Sequence, residues 1–308
     1  MKQDTQSALL TGSAPASPGA MTALVELLLI SPNCTLNYQR IEELLKVGKN
    51  PPETAWKYAI EAAFCFDLLD KGPENSVTLK KEVQKLKNSD LVSVLPTISL
   101  KNLLNKTWTP ALFDDEEKRS AKGGDLAIGM TWLLAQSPWN QDSLENVKLE
   151  ELHLAQFETG KAPNKVNPTQ LRAIKRWSRY FGLGYDDPFG GASFIPEPSL
   201  AIRRVLDNFP KEYMPASKFF AELAKILPLL DGGTLRNNTF KNLKENRLIH
   251  EKNRKQISAT LSLAIIRLEK QGFISTDYQN DSNKTDHIIL LLPESEVTLS
   301  RVKVKKYG

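Results

Sequence analysis

Apolar residues in the first third of the chain recur at helical spacing. Leu24, Val25, Leu27 and Leu28 predict a helix from Ala20 to Ile30, closed by Ser31-Pro32-Asn33. Leu36, Ile41, Leu44 and Leu45 predict a second helix that Gly48 and Pro51-Pro52 break, and a third runs from about Glu53 to Leu69. Leu68-Leu69, the Gly72-Pro73 turn and Val77 to Leu79 then read as a two-stranded hairpin. The same order returns at the other end. Helices are expected over Ser199 to Phe209 and Ala216 to Leu230, and a third over Gln256 to Gln271 with Ile257, Leu261, Ala264, Ile265 and Leu268 on one stripe. Gly272 stops it, and Phe273 to Thr276 and His287 to Leu292 flank a polar turn as a second hairpin.

Three short helices followed by a hairpin is the order of a winged helix. The fold expected is mainly α with small β wings (α+β): a flexible leader over 1–18, a winged-helix-like domain over 19–83, a helical middle segment over 84–196 and a second winged-helix-like domain over 197–308. The middle segment carries a buried-looking helix through Leu126, Ile128, Met130, Trp132 and Leu133, and an amphipathic helix from Pro168 to Phe181. The run Met21 to Ile30 is too short to cross a bilayer and Glu26 interrupts it, so neither export nor membrane insertion is expected.

Charge changes this picture at one end only. Residues 201–308 hold 19 Lys/Arg against 12 Asp/Glu, whereas residues 111–200 hold 10 against 13. The basic excess suits a polyanion or a solvated lysine-rich surface. Two cysteines, Cys34 and Cys65, exclude a disulfide framework or a four-cysteine zinc site, and a cytoplasmic setting fits them.

No catalytic constellation emerges. His153, His250 and His287 are scattered without a second ligand at i, i+4 spacing, so each is read as structural or surface, and no metal or cofactor is expected. Cys65 between Phe64 and Phe66 reads as core. Gly182-Leu183-Gly184 follows a helix, whereas a dinucleotide fingerprint follows a strand, so it reads as a helix stop. Gly123-Gly124 and Gly232-Gly233 lack the lysine of a P-loop. The acidic run Asp114 to Glu117 reads as a solvated loop in preference to a divalent-cation site.

The binding candidates are cationic. At about 100° per residue, Arg172, Lys175, Arg176 and Arg179 share one face of the Pro168–Phe181 helix, opposite Leu171, Ile174, Trp177 and Phe181. That face suits DNA phosphates; the alternative is an ordinary surface helix whose cations meet Asp186 and Asp187. A second segment, Lys241, Lys244, Arg247, Lys252, Arg254 and Lys255, leads into the last long helix, and Arg301, Lys303 and Lys305 would share one face of a strand. Leu263 and Ile266 lie outward of that helix's core stripe, together with Lys255, Gln256, Ser262 and Lys270, and mark a candidate protein interface. The N-terminal third helix, with Trp56, Ile60, Phe64 and Phe66, is too apolar to read base edges and is expected to pack.

The middle motifs Asn167-Pro168-Thr169-Gln170 and Arg176 to Gly184, and Ile195-Pro196-Glu197-Pro198 ahead of the second winged helix, make the chain resemble DpdG-type proteins. Those are accessory proteins of bacterial gene clusters for 7-deazaguanine DNA modification and phage restriction. The resemblance implies a cytoplasmic protein that works with partner subunits on DNA, and it carries over no catalytic residue. Residues and resemblance together point to a non-enzymatic winged-helix adaptor. It would bind double-stranded DNA through its basic surfaces and dock protein subunits, or a second copy of itself, through apolar ones. The alternatives are a purely structural interaction subunit without nucleic-acid binding, and an unrecognised nuclease.

Overall fold

The computed structural model describes residues 9–10, 16–46, 55–105, 123–139, 146–157, 168–188, 194–243, 255–278 and 287–305. The acidic run at 114–117, His250 and four of the basic candidates, Lys244, Arg247, Lys252 and Arg254, lie outside the described residues. The fold is α+β, with helices and small antiparallel sheets. The chain divides into two compact units. One comprises 1–107, 111–127 and 169–180, and the other 108–110, 128–168 and 181–308, so residues of the expected middle segment fall in both.

The first unit opens with helix α1 (Pro18–Leu29), whose N-cap Ser17 accepts a hydrogen bond from the Ala20 amide. Proline at the first helical position needs no partner for an amide it lacks. Met21, Leu24, Val25 and Leu28 are buried, as are Leu9, Leu10 and Ala16 within the stretch expected to be a flexible leader. A short strand β1 (Thr35–Asn37) follows, and Asn37 caps α2 (Tyr38–Leu45) by accepting from Arg40 N. Leu36, expected on the helix, is therefore a strand residue. Helix α3 (Ala55–Cys65) leads into β2 (Leu69–Lys71) and β3 (Ser76–Leu79), and the sheet order is β1-β3-β2. Glu74 and Asn75 take left-handed backbone conformations in the turn between them. Helices α4 (Asp90–Ser93) and α5 (Leu95–Leu104) complete this stretch.

Further along come α6 (Gly124–Leu134), α7 (Asn146–Gln156) and α8 (Pro168–Phe181). Leu126, Ile128, Met130, Trp132 and Leu133 of α6 are all buried, in line with the apolar run in the sequence. Gly182 ends α8 with φ of 76°, the left-handed stop that glycine adopts without strain.

The second unit contains the two-stranded pair β4 (Gly184–Asp186) and β5 (Phe194–Pro196) and helix α9 (Ser199–Arg203). The single helix expected over Ser199 to Phe209 stops at Arg203. Asn208 Nδ2 donates to Val205 O at 2.9 Å, and a 3₁₀ turn over Leu206–Asn208 replaces further α-helix. Strand β6 (Tyr213–Pro215), α10 (Ala216–Ile226), α11 (Thr234–Phe240), α12 (Ala259–Lys270) and strands β7 (Ile274–Asp277), β8 (Ile288–Leu291), β9 (Glu296–Leu299) and β10 (Arg301–Val304) follow.

The second hairpin expected from the sequence does not form. Strand β7 pairs with β10 in a sheet of order β6-β10-β7, whereas β8 pairs with β9. The reason is local. Leu292 N donates to Ser295 O and closes a tight turn that hands β8 its next strand, leaving β7 to the alternating Arg301-Val302-Lys303-Val304. Ser258 caps α12, and the buried Asp231 carboxylate accepts from both the amide and the hydroxyl of Ser258 while pairing with Arg236 at 3.1 Å.

Candidate nucleic-acid interface

Helix α8 has two unlike sides because its apolar residues recur every three to four positions. Leu171, Ile174, Trp177 and Phe181 are fully buried, and the Trp177 ring meets Phe66 edge-on at 4.8 Å. Arg172 and Arg176 are exposed and Arg179 is half-buried. Arg172 reaches back along the helix to Thr169 Oγ1 at 3.3 Å. Among the described residues neither Arg172 nor Arg176 makes an ion pair.

Lys175 requires a correction. Expected on the cationic face, it is only 2% exposed. It lies on the flank of the helix next to Leu171 and Ser178, both buried, so the packed side of α8 is wider than the large apolar residues alone suggest. A phosphate cannot reach it there.

The second basic segment is described only at its ends. Lys241 is exposed just beyond α11, and Lys255 is half-buried, its carbonyl accepting from Ile289 N. On α12, Leu263 and Ile266 are half-buried and Lys270 is exposed. Ser262 and Gln256, expected to face away with them, are buried. The Ser262 hydroxyl accepts from Leu291 N at 2.8 Å, and Gln256 donates to Glu296 at 2.9 Å, because the β8–β9 hairpin covers that flank.

The N-terminal third helix, α3, buries Trp56, Ala59, Ile60, Ala62 and Ala63 and exposes Lys57 and Glu61. Phe64 and Cys65 are half-buried, and the fully buried ring of this corner is Phe66. Partial desolvation of Glu61 where it meets the body of the unit raises its carboxyl above its ordinary value, against the opposing pull of Lys57.

Among the described residues no three His, Cys, Asp or Glu side chains come together as a metal site. His153 is buried between Trp132 and Phe157, at ring distances of 4.9 and 4.5 Å, and burial lowers its pKa to about 4. Both its ring nitrogens are buried without a hydrogen-bond partner among the described residues. A family model described as DpdG-like matches residues 7–282. The chain belongs to the DpdG-like family. Neither a curated protein nor a solved structure matches it.

The DpdG-like chain also assembles groups that the sequence pattern did not bring together. Glu197, only 3% exposed, accepts from the amide and hydroxyl of Ser199 and from Arg267 at 2.9 Å, and Arg267 lies 4.8 Å from the Tyr185 ring centroid. These groups border a cavity of about 200 Å³ together with Gly182 and Arg203. Glu197 and Arg267 lie 70 positions apart, beyond the reach of any local spacing rule. The carboxylate accepts three hydrogen bonds from these partners, so the cluster reads as a structural brace joining the start of α9 to α12.

Proposed function

We propose that this protein is a non-enzymatic adaptor of a DNA-modification system that holds duplex DNA through the outer face of α8 and docks partner subunits through α12. Family membership ties the chain to DNA-modification gene clusters. The observation that carries the DNA contact is the helix itself. Arg172 and Arg176 stand exposed and outside any ion pair among the described residues, on a helix anchored by Leu171, Ile174 and Trp177, so a phosphate gains their charge without first displacing a carboxylate.

The winged-helix reading belongs to the same proposal. In the first unit α1, β1, α2, α3, β2 and β3 follow one another, and in the second α9, β6, three helices (α10 to α12) and β7 are followed by the β8–β9 pair and then β10, with the first strand paired to the last in each three-stranded sheet, β1 to β3 and β6 to β10. On this reading Leu263 and Ile266 give α12 an outward apolar pair for a protein partner, and the phage-defence setting implied by the family supplies such partners.

Charge reversal of Arg172, Arg176 and Arg179 together should weaken duplex binding and flatten the dependence of log affinity on log salt by about 0.9 for each phosphate no longer neutralised. Fluorescence anisotropy over a salt series measures it, with far-ultraviolet circular dichroism as the check on folding. An unchanged slope in a folded variant would remove α8 from the interface and leave the purely structural subunit as the better reading.

A further inference from the structure

The sheet β6-β10-β7 has one packed face and one open face. Met214, Ile274, Val302 and Val304 are buried. Strand alternation and the pairing of Lys303 with Tyr213 and Ser275, and of Arg301 with Pro215 and Asp277, put those six residues together on the opposite face. There Tyr213 is 43% exposed, the Arg301 guanidinium carbon lies 5.2 Å from its ring centroid and Lys303 Nζ lies 5.5 Å from it. Neither cation makes an ion pair among the described residues. Asp277 stands opposite Arg301 without bonding it, Glu212 precedes Tyr213, and Lys305 is exposed immediately after the strand.

We propose that this open sheet face binds single-stranded nucleic acid, with the exposed part of the Tyr213 ring stacking a base and Arg301, Lys303 and Lys305 meeting the flanking phosphates. The two kinds of group call for the two halves of a nucleotide. Cations outside any ion pair at a sheet surface attract phosphate, and an aromatic ring kept in place by cations offers a flat surface that any base can cover. A duplex would use only the charges, because its bases are already stacked on one another. An acidic peptide would likewise leave the ring without a planar partner. This site is separate in its residues from the arginines of α8, and its test does not depend on them.

The probes are a fluorescent oligothymidine and a duplex of the same length, titrated into the full chain. Tyr213→Ala should weaken oligothymidine binding about tenfold or more while leaving duplex binding unchanged, and Tyr213→Phe should retain it. The double variant Arg301→Gln with Lys303→Gln should weaken oligothymidine binding and reduce its salt slope by about 0.7 for each phosphate no longer neutralised. The parallel control is the α8 charge-reversal variant, which should keep its oligothymidine affinity. Unchanged oligothymidine binding in folded Tyr213→Ala overturns the proposal, as does an equal loss for both probes. A loss confined to the charge variant overturns it too, since that would make the face a general polyanion surface.

Discussion

The two three-stranded sheets are built in the same strand order and present opposite chemistry to water. In β1-β3-β2 the outward row is Thr35, Thr78 and Asp70, with the two hydroxyls hydrogen-bonded to each other at 2.7 Å. Lys80, just beyond β3, is held by Asp67 at 2.5 Å, whose hydrogen bond raises the ammonium above its ordinary pKa. In β6-β10-β7 the outward residues include Tyr213, Arg301 and Lys303, and those cations rest on an aromatic ring instead of a carboxylate. The first sheet thus satisfies its polar groups internally, whereas the second keeps charge in reserve. A shared topology therefore does not imply a shared partner.

The helices ahead of the closing strands differ in the same sense. Helix α3 buries most of one side and offers Lys57 and Glu61 to solvent, whereas α12 divides its outward positions between charge, Leu263 and Ile266. If the first unit is chiefly a packing module, its largest sensitivity lies in its core. Phe66→Ala should cost about 3–5 kcal/mol in a urea melt, because the fully buried ring meets Trp177 and leaves a cavity. A cost below about 1 kcal/mol would erase the contrast, by showing that this corner contributes little to stability.

The next effect separates the units by pH. Among the described residues both histidines, His153 and His287, fall in the second unit, and His153 has its pKa lowered to about 4 by burial alone. Because the folded value lies below the ordinary 6.5, the unfolded chain takes up this proton first. The contribution is thus fully present above about pH 6.5 and declines as the pH falls towards 4, by about 3 kcal/mol in total. Urea melts at about pH 7 and about pH 4.5 should show the decline, and His153→Leu should remove that part of the difference. An equal pH dependence in parent and variant would mean that the ring protonates freely in the fold.

The smallest expected effect concerns α3, the helix expected to pack and not to read bases. Lys57→Ala should change duplex affinity by less than about 1 kcal/mol, below the range for removing a base-specific hydrogen bond. Titration of several duplex sequences measures it, and a larger effect confined to one sequence would make the first unit the sequence reader and invert the comparison.

How far the chain could be read in advance followed the range of the interactions involved. Helix α8 was legible to its end residues, because Leu171, Ile174, Trp177 and Phe181 repeat at helical spacing and Gly182 supplies the stop. Strand β1 was not, since Thr35-Leu36-Asn37 is too short to display alternation. Within the candidate site, Arg172 and Arg176 came out exposed, but burial of Lys175 depends on what packs beside Leu171 and Ser178, which no helical projection contains. The partner of β7 was hidden for the same reason. Ile274 to Asp277 passes over the next two strands to reach Arg301 to Val304, and only the folded chain reveals that choice.

That choice also sets an order of assembly during synthesis. Strand β10 forms the middle of its sheet but leaves the ribosome after both strands it joins. Until it arrives, β6 and β7 have no common neighbour, and each has a backbone edge open to other chains. A nascent chain halted before Arg301 would hold the helices of the second unit without the strand that ties its sheet together. Arrival of Arg301 to Val304 therefore gives β6 and β7 their shared partner and completes the sheet.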